Sequence, residues 1–403
     1  MKDSRIKKLL VLMLCFCMTG TFFLASCGAK EEEEIPEPPH NSLTGATEED
    51  GYDTAADDQR VVAFVVENAP DARPQWGMDD ENYSPDIMLE GEVEGGITRT
   101  LWLYADYNKL PEVIGPMRSA RPPYIRFSEL FDSIFIHWGM SHSKGDYVGA
   151  TTVFKKDNVD HINQMTYGGS VDLFDRDHSR NVSSEHTGIL YGDKVADAIK
   201  EEGFRTKPEE YTDLQFNHTA VPAGETSASK IGVKYSSKAF EDTYWDYNEE
   251  DGLYHTKDFE NDFSRDNLLV LYDDTEYITK DNYQGGGMGT SVTYCDYKFK
   301  GGKAKLFSKG TTKDLEWKCE DGKLILIDPD VSIASEEELK EIKDANKAAL
   351  EEDENANTVT VIVPEDSEGN PDYANAYAVQ KLNKGKTWIG WISNNNGGNV
   401  SVS

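Results

Sequence analysis

The stretch Val61-Val62-Ala63-Phe64-Val65-Val66 decides the fold class of this chain of 403 residues. Six consecutive apolar residues, most of them valine, predict a strand that is buried on both faces. Two further strands are predicted at residues 97–104 and 133–138, and helices are predicted at residues 122–131, 144–156 and 193–202. Strands that alternate with helices indicate a layered α/β domain, which we assign to residues 61–205.

The second half of the chain has a different pattern, in which short alternating segments are separated by turn residues. Strands are predicted at residues 231–235, 244–247, 253–255, 267–272, 291–299, 303–307, 324–327 and 387–392. Gly301-Gly302 and Asp321-Gly322 are turn signals, and we interpret the glycine-rich segment 285–289 as a further turn. Residues 206–403 are therefore predicted to form a mostly antiparallel β domain, which makes the whole protein α+β.

An insertion interrupts this β domain at residues 330–380. Ser335 and Glu338 form a capping box, and the apolar residues that follow recur at helical spacing. A polar break then precedes an apolar run at residues 359–363. We therefore predict that the insertion carries one helix and one strand of its own.

The amino terminus has the features of a bacterial lipoprotein signal peptide over residues 1–26. Basic residues come first, an apolar run covers residues 9–24, and Leu24-Ala25-Ser26-Cys27 matches a lipobox. The apolar run is shorter than the roughly 20 residues that cross a membrane as a helix. We expect cleavage before Cys27 and acylation of its thiol. The alternative is ordinary secretion, which would leave Cys27 as a free thiol.

Composition limits the partners of the mature chain. Residues 27–60 combine acidic runs with several prolines and few apolar residues, which predicts a disordered tether. The formal net charge of −33 at pH 7 opposes binding to nucleic acid and adhesion to anionic lipid. The other two cysteines of the mature chain are Cys295 and Cys319. A disulfide between them and two free thiols both remain open, because an outward-facing compartment permits a disulfide.

Candidate ligand-binding residues concentrate in the first predicted domain. Ligands of open α/β sheets bind outside the carboxyl ends of the strands, and a guanidinium pairs bidentately with carboxylate or phosphate. Arginines near such strand ends could therefore hold an anionic ligand, and internal ion pairing with Asp and Glu is the alternative. The candidates are Arg99, Arg118, Arg121, Ser141, Arg180, His137 and His186.

A catalytic interpretation rests on the same region. Gly139-Met140-Ser141-His142-Ser143 is close to the nucleophile elbow G-x-S-x-G, but its fifth residue is serine. One hypothesis makes Ser141 a nucleophile with His186 as its base, and the other makes Ser141 a helix cap. Five histidines lie within residues 137–186 without H-E-x-x-H or H-x-H spacing. We interpret them as hydrogen-bonded or surface histidines and list no metal ligand, and a metal site assembled from distant positions is the alternative. No P-loop or G-x-G-x-x-G motif indicates a cofactor.

Several phrases of the chain resemble the YerB-like lipoproteins of Gram-positive bacteria. They are NAPDARPQWG at residues 68–77, VEGGITR at 93–99, GPMRSAR at 115–121, YWDY at 244–247 with GLY at 252–254, and LNKGKTWI at 382–389. The resemblance covers most of residues 60–400. It implies two domains of unassigned function, so no catalytic residue can be carried over. The chain departs from the family pattern in the insertion at 330–380 and in residues 181–186, where the family has a shorter link.

Together these observations favour a lipid-anchored protein on the extracytoplasmic face of the cell membrane. We expect it to bind a cell-wall component or an envelope protein without catalysis, and to use no cofactor and no nucleic acid. The alternative is a hydrolase or transferase that acts on a cell-wall or lipid-linked substrate. A third hypothesis is a scaffold whose acidic insertion docks a partner protein.

Overall fold

The computed structural model describes residues 39–79, 83–209, 211–212, 214–281 and 291–403. The predicted signal peptide, Cys27 and the glycine-rich segment 285–289 lie outside these residues. The strands of the first half are β1 Val62–Glu67, β2 Ile87–Glu92, β3 Thr98–Tyr104, β4 Val113–Ile114, β5 Ile134–His137, β6 His161–Asn163, β7 Phe174–Arg176 and β8 Gly188–Tyr191. Its helices are α1 Pro122–Glu129, α2 Ala150–Asp157 and α3 Val195–Glu202.

The second half is built almost entirely of strands. They are β9 Phe216–Asn217, β10 Thr226–Ser227, β11 Lys230–Lys234, β12 Thr243–Asn248, β13 Leu253–Thr256, β14 Phe263–Arg265, β15 Asn267–Asp273, β16 Thr275–Lys280, β17 Val292–Tyr297, β18 Gly302–Ser308, β19 Thr311–Glu320, β20 Lys323–Asp328, β21 Thr360–Ile362, β22 Tyr377–Val379, β23 Leu382–Asn383, β24 Thr387–Ser393 and β25 Asn399–Val402. The helix α4 spans Glu336–Glu352.

The largest sheet runs through both halves of the chain. Its strand order is β21-β22-β20-β19-β18-β15-β24-β2-β3-β1-β5-β6, and β10 pairs with β19 at its side. Near the carboxyl terminus, β24 pairs in parallel with β15 on one side and with β2 on the other. The sequence pattern changes at the predicted boundary of residues 205–206, but strands from both sides of that boundary belong to one continuous sheet.

Both faces of this sheet are covered, because its central strands are apolar on both sides. In β1, Ala63 and Val65 belong to a cluster with residues of α1 and α2. Phe64 and Val66 belong to a second cluster with residues of α3 and of a five-stranded sheet, β14-β13-β12-β11-β25. All of β1 is buried. This confirms the strand predicted to be buried on both faces, and the α+β class is confirmed with it.

The prediction of a disordered tether over residues 27–60 is wrong for its last part. Residues 39–60 contain two short 3-10 turns, and the Leu43 side chain is fully buried. The backbone N–H of Gly385 donates to the carbonyl of Thr44 at 2.8 Å, which attaches this arm to the turn before β24. Composition misleads here because an acidic segment needs only a few apolar anchors to pack against a core that already exists.

The insertion contains the predicted helix and strand. The Ser335 hydroxyl accepts from the backbone N–H of Glu338 at 3.2 Å and caps the start of α4. The strands β21 and β22 extend the edge of the large sheet beyond β20. A small apolar cluster around Ile342 and Val361 belongs to the insertion alone. The insertion is therefore an addition at one edge of the sheet, far along the strand order from β1.

Two further findings concern the cysteines and the membrane. Cys295 is buried, Cys319 is half-buried, and both are free thiols. The sequence left open whether Cys295 and Cys319 form a disulfide, and in the structure they do not. In the part of the chain that the structure describes, no helix has both the length and the apolar character required to cross a membrane.

Candidate functional site

A cavity of about 460 Å³ opens beyond the ends of the parallel strands β5 and β6. Trp138 directly follows β5, and Asn163 is the last residue of β6, so both reach the same edge of the sheet. We call this space the strand-end cavity. It is lined by Met117, Arg118, Ser119, Trp138, Gly139, Met140, His142, Asn163, Met165, Thr166, Arg176, Glu185 and Gly188.

A tight turn after β5 forms part of the cavity wall. Gly139 has a φ of 79°, and a Cβ there would lie 2.9 Å from the Ser119 hydroxyl, so glycine is required. The Oδ1 of buried Asn163 accepts from the N–H groups of Gly139 at 2.9 Å and of Met165 at 3.2 Å. The ends of β5 and β6 are therefore fixed to each other, which gives the cavity a preformed floor.

Arg176 is the most informative cation of the cavity. Its guanidinium carbon lies 4.5 Å from the centre of the Trp138 ring, a cation–π distance. Its Nη1 donates to the carbonyl of Ser184 and, at 3.3 Å, to the hydroxyl of Thr187. Among the described residues no carboxylate forms an ion pair with Arg176, although the chain has 74 acidic residues. Within that part of the chain, its positive charge therefore has no ion-paired counter-ion.

Arg118 lies in the same wall and has two carboxylate partners. Its Nε is 2.9 Å from Glu67 Oε1, and its Nη2 is 3.2 Å from Glu185 Oε2. Glu67 also lies 2.9 Å from His186 Nδ1 through its other oxygen. Glu67 and His186 are both buried, whereas the side chain of Glu185 is 57% exposed. His186 thus supports the wall from behind and does not itself line the cavity.

Arg99 and Arg121 do not reach the strand-end cavity. Both are buried and pair with Glu94, whose Oε2 accepts from Arg121 Nε at 2.8 Å and whose Oε1 lies 3.3 Å from Arg99 Nη2. Burial acts to raise the pKa of Glu94, but the two guanidinium charges outweigh it and hold that pKa at about 2. For these two arginines, the structure therefore shows internal ion pairing, the alternative to ligand binding.

Ser141 caps a helix in this structure. Its hydroxyl accepts from the backbone N–H of Ala150 at 3.0 Å and from the hydroxyl of Tyr147 at 2.8 Å. Ala150 opens α2, so this contact satisfies one of the free donors at the start of that helix. In the described structure neither hydrogen bond of the Ser141 hydroxyl involves a histidine. His186, the base of the catalytic hypothesis, is bonded to Glu67 instead.

His137 is fully buried behind the cavity floor. Its Nδ1 lies 2.6 Å from the carbonyl of Gly139, and its Nε2 lies 3.0 Å from His161 Nδ1. Burial and the neighbouring His161 lower the pKa of His137 to about 3, so the ring is neutral at neutral pH. A neutral ring that donates to Gly139 must accept from His161. Within the described residues, no three metal-binding side chains gather into one cluster.

Arg180 lies outside the strand-end cavity, on another loop. Its guanidinium carbon is 3.6 Å from the centre of the Trp76 ring, and its Nη1 donates to the carbonyl of Pro74 at 2.8 Å. These contacts hold the loop that follows β7 against the loop that follows β1. Of the seven candidates for ligand binding, Arg118 is the one that the structure places in the wall of this cavity.

The sequence analysis missed Trp138, Asn163 and Arg176 as site residues. Trp138 and Asn163 each stand where a buried strand ends, and that position was a usable signal in the case of Trp138. Arg176 gave no local signal, because its importance depends on a tryptophan 38 positions away and on the absence of an ion-paired carboxylate among the described residues. Its role could be recognised only once β5 and β7 were placed.

A larger cavity of about 610 Å³ lies at the opposite end of β1 and β3, beneath the arm of residues 39–60. Seven aspartates contribute to its wall, and several of them are already bonded. Asp50 pairs with Lys384 at 2.8 Å, and Asp251 pairs with His255 at 2.8 Å. We therefore place the candidate site in the smaller cavity, where Arg176 has no carboxylate partner among the described residues.

Comparison with known proteins gives three consistent findings. Residues 43–205 match the N-terminal domain of a family of proteins of unknown function, DUF3048. A Bacillus subtilis (strain 168) protein named "Putative lipoprotein YerB" is 28% identical over 330 residues, which cover 79% of this chain and 89% of that protein.

The fold agrees with this sequence similarity. The crystal structure of the YerB protein from Bacillus subtilis matches with a TM-score of 0.61 at 21% identity, over 90% of this chain and 99% of that one. The predicted resemblance to the YerB-like lipoproteins is therefore confirmed, in sequence over 79% of this chain and in fold over 90% of it.

Proposed function

We propose that this protein is held to the extracytoplasmic face of the cell membrane by an acyl group on Cys27 and binds an anionic envelope component in the strand-end cavity. The single observation that carries the binding proposal is Arg176, a cation in a cavity wall with no carboxylate partner among the described residues. The anchor rests on the lipobox of residues 24–27 and on the lipoprotein name of the Bacillus relative.

The surroundings of Arg176 support an anionic ligand. Stacking on Trp138 and hydrogen bonds to the segment 184–187 hold the guanidinium in one orientation without neutralising it. A held guanidinium can form a charge-assisted hydrogen bond with a carboxylate or phosphate, at little cost in side-chain ordering. The protein as a whole repels anions, so this local exception favours recognition of one acidic group over general adhesion.

The remaining lining supports a ligand with an apolar part. Three methionines line the cavity, and the side chain of Met165 is 67% exposed at its rim. Methionine adapts its shape to irregular apolar surfaces. An envelope component with one acidic group beside an apolar or ring-shaped portion fits this lining.

The geometry favours binding over the hydrolase or transferase alternative. An activated serine needs a base within hydrogen-bond distance of its hydroxyl. Ser141 instead holds the start of α2, and buried His137 lies in a pair with His161. The catalytic alternative would therefore need groups other than these candidates.

Co-sedimentation with isolated cell-wall sacculi tests this proposal. The chain from residue 28 onward, which contains every described residue, should sediment with sacculi, and added salt should weaken the binding. Arg176→Gln should bind at least about tenfold more weakly, because a hydrogen bond between charged groups contributes about 1.5 to 3 kcal/mol. Lys200→Gln is the matched control, since it removes one exposed cation on α3 and should bind as the wild type does.

Two outcomes would contradict the proposal. Equal sedimentation of the wild type and Arg176→Gln would remove the cavity from the binding site. Release of soluble fragments from the sacculi would make the protein an enzyme, with catalytic groups other than Ser141, His137 and His186.

A further inference from the structure

Two guanidinium groups converge on one short turn at the strand-end cavity. The Nη1 of Arg176 donates to the carbonyl of Ser184, and the Nη1 of Arg118 donates to the next carbonyl, that of Glu185, at 3.2 Å. Both arginines line the cavity. Because they bind consecutive carbonyls of the turn Ser184–His186, their charges lie on the same side of the cavity.

The two carboxylates on Arg118 differ in their surroundings. Glu67 is 1% exposed and contacts both Arg118 and His186, so it is built into the core behind the wall. Glu185 is largely exposed and reaches Arg118 with one oxygen from within the cavity lining. An exposed ion pair of this kind contributes little to stability. The contact of Glu185 is therefore the one that a ligand could replace.

We propose that Glu185 occupies the position of the ligand's acidic group on Arg118, and that its side chain must leave Arg118 before the ligand's oxyanion can bind. This inference rests on the proposed function of the cavity and adds a specificity residue to it. Arg176 then supplies an anion contact that no carboxylate of the described residues occupies, and Arg118 supplies a second contact, which Glu185 blocks. A carboxylate or phosphate that bridges both guanidinium groups would gain two charge-assisted contacts for the loss of one exposed pair.

Two variants of Glu185 distinguish direct competition for Arg118 from a long-range electrostatic effect of the Glu185 charge. Glu185→Gln removes the charge of the competitor. Glu185→Asp keeps that charge but shortens the side chain by one carbon, about 1.5 Å, which breaks a contact made at 3.2 Å. If Glu185 competes through contact, both variants should bind an oxyanion more tightly. If Glu185 acts only through the electrostatic field of its charge, Glu185→Asp should bind the oxyanion as tightly as the wild type does.

Calorimetric titration with inorganic phosphate, with acetate and with sacculi fragments measures this effect on the chain from residue 28 onward. We expect both variants to bind about threefold more tightly than the wild type, because exposed ion pairs contribute about 0.2 to 1 kcal/mol. Glu341→Gln is the matched control: it removes one exposed carboxylate on α4, far from the cavity, and should leave the affinity unchanged.

The outcomes distinguish this inference from the proposed function. Wild-type binding that Arg176→Gln abolishes, with no gain in either Glu185 variant, overturns the role of Glu185 and leaves the binding site intact. No binding by the wild type or by either Glu185 variant overturns both proposals. A gain in Glu185→Gln alone replaces competition through contact by a field effect and also overturns the inference.

Discussion

Glu94 carries a buried charge that we expect to matter for the stability of the first half of the chain. It pairs with two arginines that are almost completely buried, Arg99 and Arg121. Glu94→Gln would leave both guanidinium groups without their carboxylate, and we expect it to lower the free energy of unfolding by about 3 kcal/mol. Urea denaturation at pH 7 measures this loss, with Glu112→Gln, an exposed carboxylate, as the control. A loss as small as that of the control would contradict it.

The same carboxylate predicts a pH dependence. The pKa of Glu94 is about 2 in the folded protein and about 4.3 in an unfolded chain. Its contribution to stability is therefore complete above about pH 4.5 and is lost as the pH falls toward 2. Between these values the wild type should lose stability more steeply than Glu94→Gln. Parallel unfolding curves for the two proteins over that range would show that Glu94 is not the titrating group.

At the scale of elements, Glu90 connects its own strand to three others. It lies on β2 and is buried, and it accepts from Thr98 on β3 at 2.9 Å, from Thr243 on β12 at 3.2 Å and from the Trp388 indole on β24 at 3.2 Å. Burial raises the pKa of Glu90, and its hydrogen bonds offset part of that rise. The folded protein therefore holds the Glu90 proton more tightly than the unfolded chain does.

Because its pKa is raised, Glu90 makes stability depend on pH in the direction opposite to that of Glu94. The contribution of Glu90 is largest below its unfolded pKa and falls as the pH rises through its folded pKa. Glu90→Gln stays neutral at every pH. Its free energy of unfolding relative to the wild type should therefore be higher at pH 8 than at pH 5, as measured by urea denaturation at both values. An unchanged difference would mean that Glu90 keeps one protonation state on folding.

The elements also show what the sequence could predict. Apolar runs such as residues 61–66 predict strands reliably because burial on both faces requires them. β2 was not predicted because it contains Glu90 and Glu92, and two carboxylates interrupt the apolar pattern of a buried strand. Their burial is possible because residues of other strands donate hydrogen bonds to them. α2 begins at Ala150, later than predicted, because Ser141 binds its first N–H from outside the helix. Arg176 was left out of the candidate residues because its partners come from other parts of the chain.

At the scale of the whole molecule, β24 makes the two halves depend on each other. Trp391 on this strand is fully buried and stacks on Tyr297 at 4.0 Å, and it also packs against Phe127 of α1. We expect one cooperative unfolding transition for both halves, and Trp391→Ala should lower its free energy by about 3 to 5 kcal/mol. Circular dichroism and tryptophan fluorescence, followed together in urea, test this. Two separate transitions would show that the halves fold independently.

The ordered arm of residues 39–60 shortens the link between the folded body and the proposed anchor at Cys27. With the proposed anchor at Cys27, the chain from Cys27 to residue 39 spans at most about 40 Å. A chain extended from Cys27 to residue 60 would span more than about 100 Å. The volume that the folded body can sweep is smaller by more than about tenfold for the shorter radius. Under the proposed anchoring, the ligand would therefore be met at a high effective concentration close to the membrane.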